Sequence, residues 1–330
     1  MKKRLLIGIA ITLLSGYVAV SADQPSPQDV LKKALQADQT AQYQATGVSW
    51  AWTDGKQISA RVRIYRSGTR SRVEYLSGPL TGMVMLDDGK TVETLMPGCG
   101  CPSVRENAAS PNVLNTLLAN HTAKLVGSDT IASRSVYVVE LLPKIKGNPS
   151  SKLWIDKSTF VILRNDRYSA DGKMVSSTRF DKVDYSARPS PALFRRPGTG
   201  AIAVKPYENL ADVRDIVGFA PIKPGYVPRG YSFGGYYISR TLCGRSLVVL
   251  KYTNGLNVIS IAEGNCPCVG GACPMRGHGP RRRAGHGPAV CLLSANRQAR
   301  VFRNTVGDIS IVVTGNVADN ELRKIAASFQ

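Results

Sequence analysis

The chain has 330 residues, 43 % of them apolar and 20 % charged, with a formal net charge of +20. That length is enough for two domains of ordinary size, each burying its own core. The basic excess favours acidic partners such as anionic lipid, lipopolysaccharide phosphate or an acidic protein segment, and the export signal described next sets nucleic acid aside. For most individual Lys and Arg residues, a solvated surface position is explanation enough.

Met1-Lys2-Lys3-Arg4 is a positive n-region, Leu5–Val20 an apolar run, and Val20-Ser21-Ala22 a small-residue cleavage site before Asp23. This pattern predicts a secretory signal peptide over residues 1–22. The run is short for a membrane span and no stop-transfer pattern follows. No cysteine precedes Cys99, so a lipobox is missing and a soluble periplasmic chain is expected.

Ser26-Pro27 predicts a helix start, with Ser26 as N-cap and Pro27 in the first turn. Val30, Leu31, Ala34 and Leu35 give it an apolar stripe to about Tyr43. Strands are predicted at Gln44–Trp52, Ser59–Tyr65, Ser71–Leu76, Gly82–Leu86 and Lys90–Met96, with turns at Asp54-Gly55 and Asp88-Gly89. Ser110-Pro111 repeats the helix start, and Val113, Leu114, Leu117 and Leu118 form one apolar face. Strands resume at Ala123–Val126 and Val136–Leu142.

The stretch Lys152–Tyr185 reads as three consecutive strands, Leu153–Asp156, Phe160–Tyr168 and Met174–Tyr185, with Asp171-Gly172 as a hairpin turn. Trp154 between Leu153 and Ile155 puts apolar groups on both faces, as a sheet covered on both sides requires. Ala187–Val204, rich in Pro and Gly, reads as a linker without regular structure. Its Gly198-x-Gly200-x-x-Ala203 lacks the βαβ context of a dinucleotide site.

Beyond it, a short helix over Glu208–Gly218 is expected to bury Leu210, Val213, Ile216 and Val217. Strands are predicted at Tyr236–Arg240, Leu247–Thr253, Leu256–Glu263, Val290–Leu293, Arg300–Val306 and Ile309–Gly315, with turns at Asn254-Gly255 and Gly307-Asp308. A closing helix over Asp319–Phe329 turns Leu322, Ile325, Ala326 and Phe329 inward. The organisation is a domain over 23–186, a linker over 187–205, and a smaller α+β domain over 206–330 with a Cys/His-rich loop at 265–288.

The runs LWIDKSTFVILRNDRYSADGKMVSSTRFDKVDY (153–185), YQATGVSWAW (43–52), ARVRIYRSGTRSRVEYLSGP (60–79) and MLDDGKTVETLMP (85–97) resemble the MucB/RseB family of sigma-E regulators. So do GYVPRGYSF (225–233), LVVLKYTNGLNVISI (247–261) and VFRNTVGDISIVVTGNV (301–317). The resemblance covers most of the mature chain and rests on strands and turns. It implies an α+β fold: a curved antiparallel LolA-like half-barrel with helices across it, plus a smaller α+β domain. It also implies a lipid or lipoprotein acyl chain as ligand, and the periplasmic segment of a membrane-bound anti-sigma factor as partner. A LolA-type carrier without a signalling role is the first alternative, and a metal- or redox-handling protein built on the Cys/His loop is the second.

Within strands, Trp50 with Trp52, Val62 with Ile64, Met83 with Met85, and Leu153 with Ile155 each share a face. These eight residues are either plain core or the wall of an acyl groove. Each buried methylene of an acyl chain contributes about 0.8 kcal/mol, and flexible Met side chains suit varied ligands.

Seven cysteines, Cys99, Cys101, Cys243, Cys266, Cys268, Cys273 and Cys291, leave at least one unpaired within the chain. Export makes disulfides the expected use. With His278 and His286 they are also ligand types for zinc or copper, although the C-x-C-x₄-C spacing departs from paired zinc knuckles. No C-x-x-C supports a redox centre. The family pattern has no such loop. Arg281, Arg282 and Arg283 are candidates for contact with phosphate or an acidic partner, and peripheral membrane contact fits the basic balance. No H-E-x-x-H, G-x-S-x-G or P-loop occurs. His121 reads as a cap after a helix, where a cation is favoured, so a non-catalytic chain with no required cofactor is expected.

Overall fold

A computed structural model describes residues 24–53, 56–89, 91–95, 103–106, 113–195, 207, 209–240, 246–265 and 300–330. The signal segment, the Asp54-Gly55 turn, Ser110-Pro111, all seven cysteines, His278, His286, the three loop arginines and Val290–Leu293 lie outside the described residues.

Helix α1 (Pro27–Thr40) begins where predicted: the Asp29 N–H donates to Ser26 Oγ at 3.1 Å, with Pro27 in the first turn. Its apolar stripe buries Val30, Leu31, Ala34 and Ala37. Strands β1 (Gln42–Thr53), β2 (Lys56–Ser67), β3 (Arg70–Tyr75), β4 (Val84–Asp87), β5 (Thr91–Leu95) and β6 (Ser103–Glu106) follow as a meander. Helix α2 (Val113–Asn120) interrupts it before β7 (His121–Ile131), β8 (Arg134–Pro143), β9 (Ser150–Asp156), β10 (Ile162–Tyr168) and β11 (Met174–Asp184). All pairings are antiparallel, in the order β6-β5-β4-β3-β2-β1-β11-β10-β9-β8-β7. β6 and β7 stay unjoined, so the sheet is the open half-barrel anticipated.

Four local expectations need correction. The β7–β8 hairpin is longer than predicted because Ala132 (φ +50°) and Ser133 (φ +60°) turn the chain. Neither residue type announces a left-handed conformation. Phe160 is not in a strand: its φ of +58° places it in the turn before β10. Strand β6 carries no clear alternation and was not expected. The linker contains a short 3-10 turn, Pro191–Phe194, whose Phe194 is buried while Arg72 Nη1 donates to the Leu193 carbonyl at 3.2 Å.

The second unit comprises α3 (Leu210–Val217), β12 (Ser232–Arg240), β13 (Ser246–Thr253), β14 (Val258–Gly264), β15 (Arg300–Val306), β16 (Ile309–Gly315) and α4 (Asp319–Ala327). Its sheet runs β12-β13-β14-β16-β15. Leu322, Ile325, Ala326 and Phe329 pack on Ile259, Ile261, Ile311 and Val313 as predicted. In α3 only Val213 and Val217 are buried; Leu210 is 38 % and Ile216 44 % exposed. A two-turn helix presents too narrow a stripe to bury all four.

The two units meet at α2. Asn120 Nδ2 donates to the Asn254 carbonyl at 3.3 Å, and Asn148 Nδ2 to the Arg229 carbonyl at 3.3 Å. Leu256 packs against the cluster that holds Leu117, Val139 and Leu153.

Candidate functional site

Cross-strand partners share a face, so the registers sort the eight apolar candidates. Val62 pairs with Gly47 and Tyr75, Ile64 with Ala45 and Val73, and Val73 with Met85. The row Ala60, Ser49, Thr178, Asn165, Leu153 and Val139 extends this face across the sheet. Val62, Ile64, Met83, Met85, Leu153 and Ile155 therefore lie on one face. Trp50 and Trp52, opposite Ser59 and Gln57, lie on the other. The eight do not form a single apolar wall.

On the shared face, Leu153 and Ile155 are sealed beneath the helices by Val30, Leu31, Ala34 and Leu117. Val62 and Ile64 pack with Ala37, Tyr43 and Ala45. These four are core. Toward β4 the cover thins: Met83 is buried, but Met85, Val73 and Tyr75 are only half-buried. Tyr75 donates its hydroxyl to Met85 Sδ at 3.7 Å. Burial holds the Tyr75 hydroxyl above its ordinary pKa, so it stays a neutral donor. Val73, Tyr75, Met83 and Met85 thus form a smaller apolar surface with a single polar group at its edge.

A cleft of about 420 Å³ runs along the C-terminal half of α1, lined by Lys33, Gln36, Ala37, Thr40, Thr159, Phe160 and Tyr185 among others. The Lys33 ammonium sits 4.9 Å from the centroid of the Phe160 ring. Its floor is braced by Asp156, which is 1 % exposed. Arg134 donates to both its oxygens at 2.5 and 3.2 Å, Tyr185 donates its hydroxyl at 3.1 Å, and the Ser158 and Thr159 N–H groups also donate. Burial raises the Asp156 pKa, but Arg134 and the two backbone donors outweigh it, so the carboxyl ends below its usual range. The Asp-Lys-Ser-Thr run is thus a carboxylate-capped turn, which its sequence pattern did not disclose.

Trp154 is buried on the opposite face from Leu153. Its indole N–H donates to Asp129 Oδ2 at 3.0 Å, and Arg164 lies 4.2 Å from its ring centroid. Arg164 also holds the buried Asp166 with two hydrogen bonds of 2.9 and 2.6 Å, and Ser177 donates to Asp166 at 2.6 Å. Both faces of β9 are therefore covered, as its sequence requires, the second by a polar clamp rather than a helix.

His121 opens β7 directly after α2 and is buried, with Nδ1 3.2 Å from the Leu117 carbonyl. It caps the helix as predicted. Burial lowers its pKa, however, so the ring is neutral rather than cationic. Among the described residues no group of three or more His, Cys, Asp or Glu could hold a metal ion.

The family model for the MucB/RseB N-terminal domain matches residues 26–197. Among solved structures the chain is similar to MucB in complex with MucA(peri), at 17 % identity and a TM-score of 0.57, covering 92 % of this chain and 98 % of that one. The Pseudomonas aeruginosa MucA/MucB complex gives the same identity, score and coverage. A LolA superfamily protein from Nitrosomonas europaea matches at 15 % identity and a TM-score of 0.29, over 52 % of this chain and 99 % of that one. For the two MucB structures, at that identity, the likeness is one of fold. No curated protein matches the chain in a sequence comparison.

Proposed function

This chain belongs to the MucB/RseB family, and from that membership we propose that it is a periplasmic, non-enzymatic regulator that binds the periplasmic segment of an anti-sigma factor. The supporting observation is the family match over residues 26–197 joined to a fold shared with MucB along both units. The MucB relative was solved with MucA(peri) bound, and we extend a partner of that kind to this chain. Holding such a segment shields it from proteolysis until a ligand releases it. Export by the residue 1–22 signal peptide completes the reading, and no helix among the described residues is long and apolar enough to cross a membrane.

The ligand we propose is a lipid or lipoprotein acyl chain, lodged against half-buried Val73, Tyr75 and Met85 beside the buried Met83. Apolar burial supplies the affinity without specific polar contacts, and the two Met side chains adapt to the chain's path. For the cysteines we propose disulfide stapling rather than zinc or copper binding, as the export signal favours.

Native mass spectrometry of the chain purified from a periplasmic extract tests the acyl reading. A co-purifying lipid mass, lost on mild denaturation and weakened by Met85→Gln, is the expected result. A stoichiometric metal and no lipid would move the function to the Cys/His loop. A lipid handed to an acceptor lipoprotein carrier, with no anti-sigma binding, would favour the LolA-type carrier.

A further inference from the structure

The face of the large sheet opposite α1 is not uniform. Over β9 it is closed by the Trp154 clamp, and beside β3 it is crossed by the 3-10 turn Pro191–Phe194. Between these lie β2, β1 and β11. Their registers make two cross-strand rows, Arg61–Val48–Arg179 and Arg63–Thr46–Lys182, and a third, Ser59–Trp50–Ser177. Arg61, Arg179 and Lys182 are exposed, and none of the three has an ion-pair partner among the described residues. Val48, Trp50 and Trp52 are half-buried between them.

Acidic groups stand at the rim. Glu74 on β3 reaches Arg63 at 3.8 Å and also pairs with Arg72. Asp184 lies opposite Gln44 at the strand end, Asp181 occupies the β11 irregularity, and Asp129 projects from β7 toward Arg179. The centre of the patch is therefore cationic and aromatic, and its acids are peripheral.

We propose that this β2–β1–β11 face is a docking surface for an anionic lipid bilayer, with Arg61, Arg179 and Lys182 on headgroup phosphates and Trp50 and Trp52 at the headgroup boundary. Cations near an anionic leaflet gain from its surface potential, and Trp side chains concentrate at the membrane interface because the ring is apolar and the N–H polar. Three strands set about 4.7–4.9 Å apart span about 10 Å between the outer two. All three are interior strands paired on both sides, so they offer an extended peptide no free sheet edge. The net charge, +20 for the full chain and +17 without Lys2, Lys3 and Arg4 of the signal segment, adds long-range attraction of the same sign. This inference stands apart from the acyl reading, which uses Val73, Tyr75, Met83 and Met85 on the other face.

The test is co-flotation of the full mature chain with vesicles of phosphatidylcholine alone or mixed with phosphatidylglycerol. Binding only to the mixed vesicles, reversed by salt, is expected. The triple variant Arg61→Gln, Arg179→Gln, Lys182→Gln should lower partitioning by on the order of a hundredfold, from about fivefold per cation, with its circular dichroism and melting midpoint unchanged. A control of equal charge loss elsewhere, Lys32→Gln, Arg214→Gln, Arg229→Gln, should lose far less. Brominated acyl chains should quench Trp50 and Trp52 while Trp154 stays protected.

No binding to the mixed vesicles would overturn the proposal, as would equal loss in both triple variants. Binding of an acidic peptide but not of vesicles, abolished by the same variant, would assign the face to a protein partner and overturn the membrane reading.

Discussion

Asn120 on α2 donates its side-chain amide to the backbone carbonyl of Asn254, 3.3 Å away in the β13–β14 turn. This bond ties the helix that caps the large core to the second sheet. Beside it Gly255 has φ +88°, and a Cβ there would meet the Leu117 nitrogen at 2.6 Å and its Cα at 2.8 Å. Only glycine lets the turn approach the helix backbone this closely.

Gly255→Ala is therefore expected to push the second unit off α2. Limited proteolysis between the units should accelerate, and small-angle scattering should show a larger radius. Gly307→Ala serves as the contrast, since it has φ +54° but nothing within 4 Å of the added Cβ. It should cost about 1–2 kcal/mol from the left-handed backbone alone, with the units still docked. Equal behaviour of the two variants would contradict this account of the contact.

Arg134→Met should destabilise the fold by about 3 kcal/mol, the low end for a broken buried pair, since Arg134 is 33 % exposed and solvent screens part of the interaction. The Asp156 carboxyl is held below its ordinary pKa in the fold. Its contribution is thus fully present above the unfolded-state value near 4 and lost as pH falls through the lower folded value. Acid melting curves should show that loss in the parent chain, and a weaker one in Arg134→Met.

Glu263 on β14 has the opposite sign. Its side chain is fully buried, Oε2 accepts the Ile222 N–H at 2.8 Å, and Oε1 has no hydrogen-bond partner among the described residues. Burial raises its pKa from 4.5 to about 8, against the Ile222 hydrogen bond. The folded state keeps the proton that the unfolded chain gives up, so stability declines as pH rises from about 4.5 to about 8 and levels off above. Glu263→Gln keeps an acceptor for Ile222 and cannot ionise. Its melting temperature should exceed that of the parent at pH 8 and vary less between pH 5 and 8.

Ile155 and Met85 separate core from candidate ligand surface. Ile155→Ala should cost about 2–5 kcal/mol, as for a cavity in packed core. Met85→Gln, at a half-buried position, should cost about 1 kcal/mol or less while lowering lipid co-purification. Urea denaturation and native mass spectrometry measure the two effects independently.

Much of this architecture is legible in the amino acids. Ser26-Pro27 marks the start of α1, and Gly89, Gly172 and Gly255 mark turns that need positive φ. Alternation within a strand reveals which residues share a face, so Trp50 goes with Trp52 and Val62 with Ile64. It does not reveal that these pairs oppose each other, because that depends on the β1–β2 register. The Ala132-Ser133 turn stays hidden because its residue types rarely adopt φ above zero. The Asp156 and Trp154 clamps are assembled from strands distant in sequence, which no local pattern carries. Leu210 and Ile216 look buried by composition, but the second sheet has room for only one side of α3.

The direct test of the central claim is isothermal titration of the mature chain with the periplasmic segment of the anti-sigma factor encoded in the same genome. The account predicts saturable binding of one segment per chain, together with protection of the segment from proteolysis that added lipid reverses. No binding heat and no protection, with the chain folded by circular dichroism, would contradict it.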